Sequence, residues 1–280
     1  MSPSTPLVSV RWLEEHLRDP ELRLVDCRFS LSDPLAGRAA YLSGHLPGAV
    51  YLDLEADLSG PVRPDRKGGR HPLPEPAALA QTLAQAGIGD ETFVVAYDEP
   101  PAGGMFAPRL WWLLRWLGHD KVAVLDGGIT AWNEAGGALE TPVPTPPKAR
   151  FTPRPRPEWV VDAEAVAHRP AGTVLLDSRA PARYRGEIEP IDPVAGHIPG
   201  ALNRDWLEAY QPSGRFKSPA EQQARFAGLE GEVIAYCGSG VSASVNVLAL
   251  ELAGRPAKLY AGSWSDWVSG SRPVATGDQP

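Results

Sequence analysis

The chain contains one pattern twice. "LVDCR" at 24–28 returns as "LLDSR" at 175–179, and "GHLPGA" at 44–49 returns as "GHIPGA" at 196–201. "VVAYD" at 94–98 returns as "VIAYC" at 233–237, and "GGITAW" at 127–132 as "GSWSDW" at 262–267. The order is the same in both halves, so one domain plan is used twice. A chain of 280 residues accommodates this, since single cores typically serve roughly 100–150 residues. Between the second and third landmarks the offset drops by thirteen residues, so the first half carries extra chain. That extra chain falls in "LSGPVRPDRKGGRHPLP", 58–74.

The expected division is an N-terminal domain at 1–140, a linker at 141–157 and a C-terminal domain at 158–280. The linker, "TPVPTPPKARFTPRPRP", holds seven prolines. Each fixes φ and lacks an amide donor, so the stretch is neither a helix nor a central strand. It reads as a semi-rigid connector laid along the surface.

Within each copy, short continuous apolar runs alternate with helical patterns. "LRLVDCR", "TVLLDSR", "TFVVAYD" and "EVIAYC" read as strands buried on both faces of a parallel sheet. Leu110, Leu113, Leu114 and Leu117 recur on one helical face, as do Val245, Leu248, Ala249 and Leu252. Gly118 and Gly254 stand where such helices end. The predicted fold class is α/β: two similar domains, each a parallel β-sheet flanked by helices.

Charge and composition exclude several functions. A net charge of −7 with scattered arginines argues against nucleic-acid binding, which needs clustered cations to neutralise phosphates. The local basic cluster Arg150, Arg154 and Arg156 lies in the proline-rich linker. "LWWLLRWLG" is broken by Arg115 and falls far short of the ~20 apolar residues of a membrane span, so no membrane partner is expected. The N-terminus lacks a signal pattern, and Glu14 and Glu15 are unlike a transit peptide. The two cysteines, Cys27 and Cys237, are therefore expected as free thiols in a reducing cytoplasm.

Cys237 is the first residue after a buried strand, and "GSGVSA" follows it. Ligands in open parallel sheets bind beyond the carboxyl ends of strands. A loop of glycines and small residues can curl its amides around one anion, and a helix beginning near Ser242 adds its positive end. Both favour thiolate, the nucleophilic form, over thiol. Cys27, beside Asp26 and matched by Ser178 in the second copy, reads as structural. His45 and His197 of the GHLPGA and GHIPGA turns have no second ligand at metal spacing and also read as structural. Trp111, Trp112 and Trp116 read as core or domain interface. No metal and no cofactor is called for.

With these residues in place, the chain resembles the tandem-domain rhodanese-like sulfurtransferases over nearly its whole length. In that family the catalytic cysteine sits only in the C-terminal domain. Here Asp98 stands in the first copy where Cys237 stands in the second, which implies an inactive first domain. Members that use thiosulfate typically carry Arg-Lys after the cysteine, whereas members that use 3-mercaptopyruvate typically carry "CGSGVTA". This chain has "CGSGVSA", so the resemblance implies 3-mercaptopyruvate as the sulfur donor, with thiosulfate as the alternative. It further implies a Cys237 persulfide whose sulfur passes to cyanide or to a thiol acceptor such as thioredoxin.

Resemblance also assigns roles at single positions. Arg183 in "DSRAPARYRG" matches the arginine that binds the donor carboxylate. Gly238, Gly240, Val241 and Ser242 belong to the loop that receives the substrate. A serine–histidine–acid relay falls on Ser239, His71 in "GRHPLP" and Glu55 in "YLDLEADL". The family usually has Asp at this last position, which leaves Asp53 as an alternative. A second carboxylate-binding arginine is missing, because "EPIDPVAGHIPGA" has Ile191 in its place. Arg185 and Arg109 are candidates to compensate.

Two other classes meet opposing evidence. Cysteine phosphatases that share this domain plan need an arginine after five loop residues, where this chain has Ala243. A non-enzymatic sulfur-binding or regulatory module would not need Cys237 together with its glycines.

Overall fold

The computed structural model describes residues 5–280. Two sheets form, each of five parallel strands. The first contains β1 (Leu7–Val8), β2 (Leu22–Asp26), β3 (Val50–Tyr51), β4 (Phe93–Tyr97) and β5 (Val122–Leu125), in the order β1-β5-β4-β2-β3. The second contains β6 (Val160–Val161), β7 (Val174–Asp177), β8 (Ala201–Asn203), β9 (Val233–Tyr236) and β10 (Ala257–Tyr260), in the order β6-β10-β9-β7-β8. The two orders are identical once the repeat is superimposed, and every pairing is parallel. Parallel strands need crossover connections, and the helices between them cover the sheet faces. That is the α/β architecture expected from the alternation of strand and helix patterns.

Duplication extends to individual hydrogen bonds. Arg28 forks onto Asp26 and reaches the Gly44 carbonyl at 2.7 Å, and Arg179 does the same to Asp177 and the Gly196 carbonyl at 2.6 Å. His45 stacks on Tyr41 at 4.0 Å and its Nδ1 lies 2.8 Å from the Tyr41 carbonyl. His197 stacks on Tyr184 at 3.8 Å with the same ring-to-carbonyl contact. Both histidines are thus built into the turn that leads to β3 or β8.

The helices that follow the central strands depart from a one-sided pattern. In Ala243–Leu252 every residue from Ala243 to Leu250 is buried. In Phe106–Trp116 only Arg115 escapes burial. Apolar periodicity picked out the face toward the sheet, but neighbouring chain covers the opposite face as well. Gly118 and Gly254 do follow these helices with positive φ.

The chain divides into two compact units, and each includes a segment from the other half of the sequence. Unit 1 contains Met1–Ser59, Pro74–Arg156 and Tyr210–Phe216, whereas unit 2 contains Gly60–Leu73, Pro157–Ala209 and Lys217–Pro280. In unit 1 the amide of Phe216 donates to Asp126 Oδ1 at 2.7 Å. The proline-rich stretch also runs along unit 1, with Arg154 and Arg156 amides donating to the Leu117 and Trp116 carbonyls. In unit 2 the segment Gly60–Leu73 covers most of the extra chain found in the first half. It forms a strap across the residues that follow β10. Among the described residues no helix is long and apolar enough to cross a membrane.

Candidate active site

β9 is fully buried, and its last residue hands the chain to Cys237 at the carboxyl edge of the sheet. The Cys237 amide donates to Ser263 Oγ at 3.0 Å, and the Cys237 carbonyl accepts the Trp264 amide at 2.9 Å. Gly238 in turn accepts the Ser265 amide at 3.0 Å. Ser263 adopts φ 56°, where a side chain is strained, and its hydroxyl also donates to the Tyr260 carbonyl at 2.9 Å. Two hydrogen bonds offset this left-handed conformation. The matching residue in the first copy is Gly128, at φ 55°.

Beyond Cys237 the loop turns back on the sulfur. The Gly240 amide donates to Sγ at 3.1 Å. Gly240 has φ 78°, and a Cβ there would meet the Ala261 carbonyl oxygen at 2.2 Å, so only glycine permits this turn. Val241 is buried, and Ser242 is the residue from which helix Ala243–Leu252 starts, although its side chain makes no cap. A backbone donor and a helix start therefore converge on a nearly enclosed thiol, 2% exposed.

His71 reaches this loop on the strap. Gly68 donates its amide to Asp266 Oδ1 at 2.9 Å, and the Arg70 amide donates to Ser265 Oγ at 3.1 Å. At Gly69 a Cβ would stand 2.4 Å from the Gly262 carbonyl oxygen, so this close approach also requires glycine. Pinned in this way, the strap sets His71 Nδ1 2.8 Å from Ser239 Oγ, both side chains being buried. The structure thus joins Ser239, two residues beyond Cys237, and His71 across 168 residues of sequence.

Three arginines and three acids form the adjoining polar wall. Arg183 grips Glu189 through Nη2 at 2.6 Å and Nε at 3.2 Å, and Nη2 also lies 3.4 Å from Asp192. Arg70 pairs with Asp192 through Nη1. Arg179 completes the row through Asp177 and Glu189. Burial alone would raise the Glu189 pKa, but Arg183 and the amides of Asp192 and Ile191 outweigh it and hold the carboxyl below its ordinary range. Over Gly238 the guanidinium groups converge. A Cβ at that glycine would stand 3.1 Å from Arg70 Nη2 and 3.4 Å from Arg183 Nη1.

The two arginines offered as compensators have other surroundings. Arg185 is committed to Glu187 at 2.6 and 2.9 Å. Arg109 is wholly buried in helix Phe106–Trp116 of unit 1. Ile191 is half exposed. The arginine that shares Asp192 with Arg183 is Arg70, a residue the sequence alone did not single out. The available signal was "GGRH", a pair of glycines before Arg-His inside the segment that only the first half possesses.

Unit 1 shows what the same strand end becomes without the thiol. Asp98 follows β4, its carbonyl accepts the Ile129 amide at 3.0 Å, and its Oδ2 accepts the amides of Phe106 and Ala107 at 2.9 and 2.8 Å. Burial outweighs those amides and pushes its pKa up to about 7. Nearby, burial together with the charges of Asp98, Asp26 and Asp57 pushes the Cys27 thiol well up. Such a thiol is not a nucleophile at neutral pH. Glu55 also lies in unit 1, exposed, with its amide donating to Asp53 Oδ1 at 2.8 Å. Asp53 further accepts the Ala56 amide and the Tyr51 hydroxyl, so both its oxygens hold its own turn. Both cysteines are free thiols. Among the described residues no group of His, Cys, Asp and Glu is placed to hold a metal.

Comparison with known proteins agrees with this architecture. A model of the rhodanese-like domain matches residues 9–135 and again 162–270. A Pseudomonas aeruginosa protein named "Probable 3-mercaptopyruvate sulfurtransferase" is 48% identical, the match covering 98% of this chain and 99% of the relative. A Mycobacterium tuberculosis protein carrying the name of a thiosulfate sulfurtransferase, SseB, is 42% identical over 92% of each chain. The crystal structure of SseA from Escherichia coli, described with the rhodanese fold of 3-mercaptopyruvate sulfotransferases, aligns with a TM-score of 0.81. That alignment covers 94% of this chain and 100% of SseA at 36% identity. With the domain matched twice and relatives aligned almost end to end, the chain belongs to the rhodanese-like sulfurtransferase family.

Proposed function

We propose that the chain takes a sulfane sulfur from 3-mercaptopyruvate, carries it as a persulfide on Cys237, and passes it to a thiol or cyanide. The carrying observation is the Cys237 loop, where the Gly240 amide meets the sulfur and the Ser239–His71 pair stands beside it. In the first half-reaction the Cys237 thiolate attacks the donor sulfur. The new S–S bond forms as the C–S bond breaks, and its electron pair departs as the enolate of pyruvate. The proton carried on the donor sulfur is the one this enolate needs, and Ser239 with His71 offers a path for it. Net proton uptake is then zero, and the persulfide is left as an anion facing amide donors. In the second half-reaction an acceptor thiolate or cyanide attacks the outer sulfur and regenerates the Cys237 thiolate.

Arg183 serves as a carboxylate ligand through Nη1, because Nε and Nη2 are held by Glu189 and Asp192, and the contact it offers is a charge-assisted hydrogen bond. Gly238, Val241 and Ser242 line the receiving loop without adding charge. Glu55 is the acid that the resemblance assigns to this relay, with Asp53 as the alternative. Unit 1 is the inactive copy. Asp98 fills the anion-binding start of its own helix, which leaves no place for a persulfide there. Thioredoxin-like thiols in the cytoplasm are the expected acceptors.

Thiosulfate is the second reading, favoured by the two guanidinium groups converging over Gly238, which suit a dianion. Steady-state kcat/KM with each donor at matched acceptor concentration decides between them. A higher value for 3-mercaptopyruvate supports the first reading, and a higher value for thiosulfate replaces it.

A further inference from the structure

We infer that Arg70 is the second carboxylate-binding arginine of the donor site, delivered by the strap instead of by the position that Ile191 occupies. The inference rests on the reading of the donor as a keto acid, and it names the residue that completes its grip. Three observations carry it. The strap is fastened next to the Cys237 loop by the Gly68 and Arg70 amides, so the side chain of Arg70 starts from a fixed backbone. Its Nη1 is held by Asp192, which also lies 3.4 Å from Arg183 Nη2, so one carboxylate aligns both guanidinium groups. The opposite edges, Arg70 Nη2 and Arg183 Nη1, both lie over Gly238, immediately after Cys237, 3.1 and 3.4 Å from where a Cβ would stand.

Those two edges are donors with a direction and no partner among the described residues. Arg70 uses Nη1 on Asp192, and Arg183 uses Nε and Nη2 on Glu189 and Asp192. A planar carboxylate placed over Gly238 would meet one N–H from each side, with its chain directed toward the sulfur of Cys237. Glycine at 238 suits this crowded place, because a Cβ there would press on both guanidinium groups, 3.1 and 3.4 Å away. Arg70 in this arrangement touches substrate, while Asp192 is a positioning residue that acts through the two arginines.

Alkylation of Cys237 tests the assignment without relying on sulfur transfer. 3-Bromopyruvate carries bromine where the donor carries sulfur. The Cys237 thiolate forms a C–S bond to its C3, and bromide leaves with the C–Br electron pair. Bromoacetone undergoes the same displacement but has no carboxylate. The wild-type protein is expected to react faster with bromopyruvate than with bromoacetone, saturably. In Arg70→Ala the bromopyruvate rate constant at low concentration should fall about tenfold or more, the scale of one lost charged hydrogen bond. The bromoacetone rate should stay within about twofold, which reports an intact loop. Arg70→Lys should recover part of the preference, because it keeps the charge and loses the fork. An unchanged preference in Arg70→Ala, an equal loss with both reagents, or no preference in the wild type each overturn the assignment. If Arg70-dependent preference appears but 3-mercaptopyruvate transfers no sulfur, the donor reading fails and the carboxylate site stands.

Discussion

Gly240→Ala separates the loop that activates Cys237 from ordinary stability. At φ 78° an alanine incurs roughly 1–2 kcal/mol for the left-handed conformation alone. The added Cβ would lie 2.2 Å from the Ala261 carbonyl oxygen, which belongs to backbone and cannot rotate away. The loop must therefore move by about 1 Å to restore van der Waals contact near 3.2–3.4 Å. A shift of that size breaks the Gly240 N–H contact to Sγ, now 3.1 Å. Losing a hydrogen bond to a charged group is worth about 1.5–3 kcal/mol.

Gly254→Ala is the matched control. Its φ is 73° and a Cβ there meets nothing within 4 Å, so it incurs only the conformational term. The assay is the rate of Cys237 alkylation by uncharged iodoacetamide at pH 7, together with urea unfolding of each variant. Gly254→Ala should lose about 1–2 kcal/mol of stability and keep the wild-type alkylation rate. Gly240→Ala should lose more stability and alkylate at least about tenfold more slowly. Equal alkylation by the two variants would refute the claim that this amide activates the sulfur.

Cys237→Ser should abolish sulfur transfer, whereas Cys27→Ser should retain most of it in the same assay, since the second copy carries Ser178 at the equivalent position. Ser239→Ala and His71→Ala should each lower single-turnover persulfide formation by about a hundredfold. Glu55→Gln should lower it less, while Asp53→Asn should shift the urea midpoint and leave the rate intact. Asp98 gives a pH prediction with a definite sign. Its folded pKa of about 7 lies above the ordinary 3.8, so the folded unit keeps a proton that the unfolded chain has shed. Stability should fall as pH rises between about 4 and 7 and stay level above, by on the order of 4 kcal/mol at most. Asp98→Asn should flatten that window in urea titrations of unit 1, and an unchanged slope would show that burial of Asp98 is not its cause.

The repeat made the fold readable because it is carried by strand ends and turns, where local chemistry is strict. Asp26 and Asp177 each fork with an arginine two residues on, and His45 and His197 each stack on a tyrosine. Such short-range contacts leave a recurring string. The Cys237 loop was readable for the same reason, since Gly240 is forced by backbone geometry at that very loop. The strap was not readable. Its anchors, Asp266 and Ser265, lie 198 and 195 residues from Gly68 and Arg70, and no periodicity encodes such pairings. Sequence therefore located the thirteen extra residues but not their attachment to unit 2. The Arg70–Asp192 pair was hidden with them, although resemblance singles out His71 beside it. The buried outer face of helix Ala243–Leu252 was hidden likewise, because distant chain covers it.

Intact-mass and peptide mass spectrometry after mixing the protein with 3-mercaptopyruvate, with no acceptor present, tests the central claim most directly. The account predicts a gain of one sulfur atom, located on Cys237, with one pyruvate released per sulfur bound and complete reversal on adding cyanide. A sulfur found on Cys27, or pyruvate released with no sulfur retained by Cys237, would contradict it.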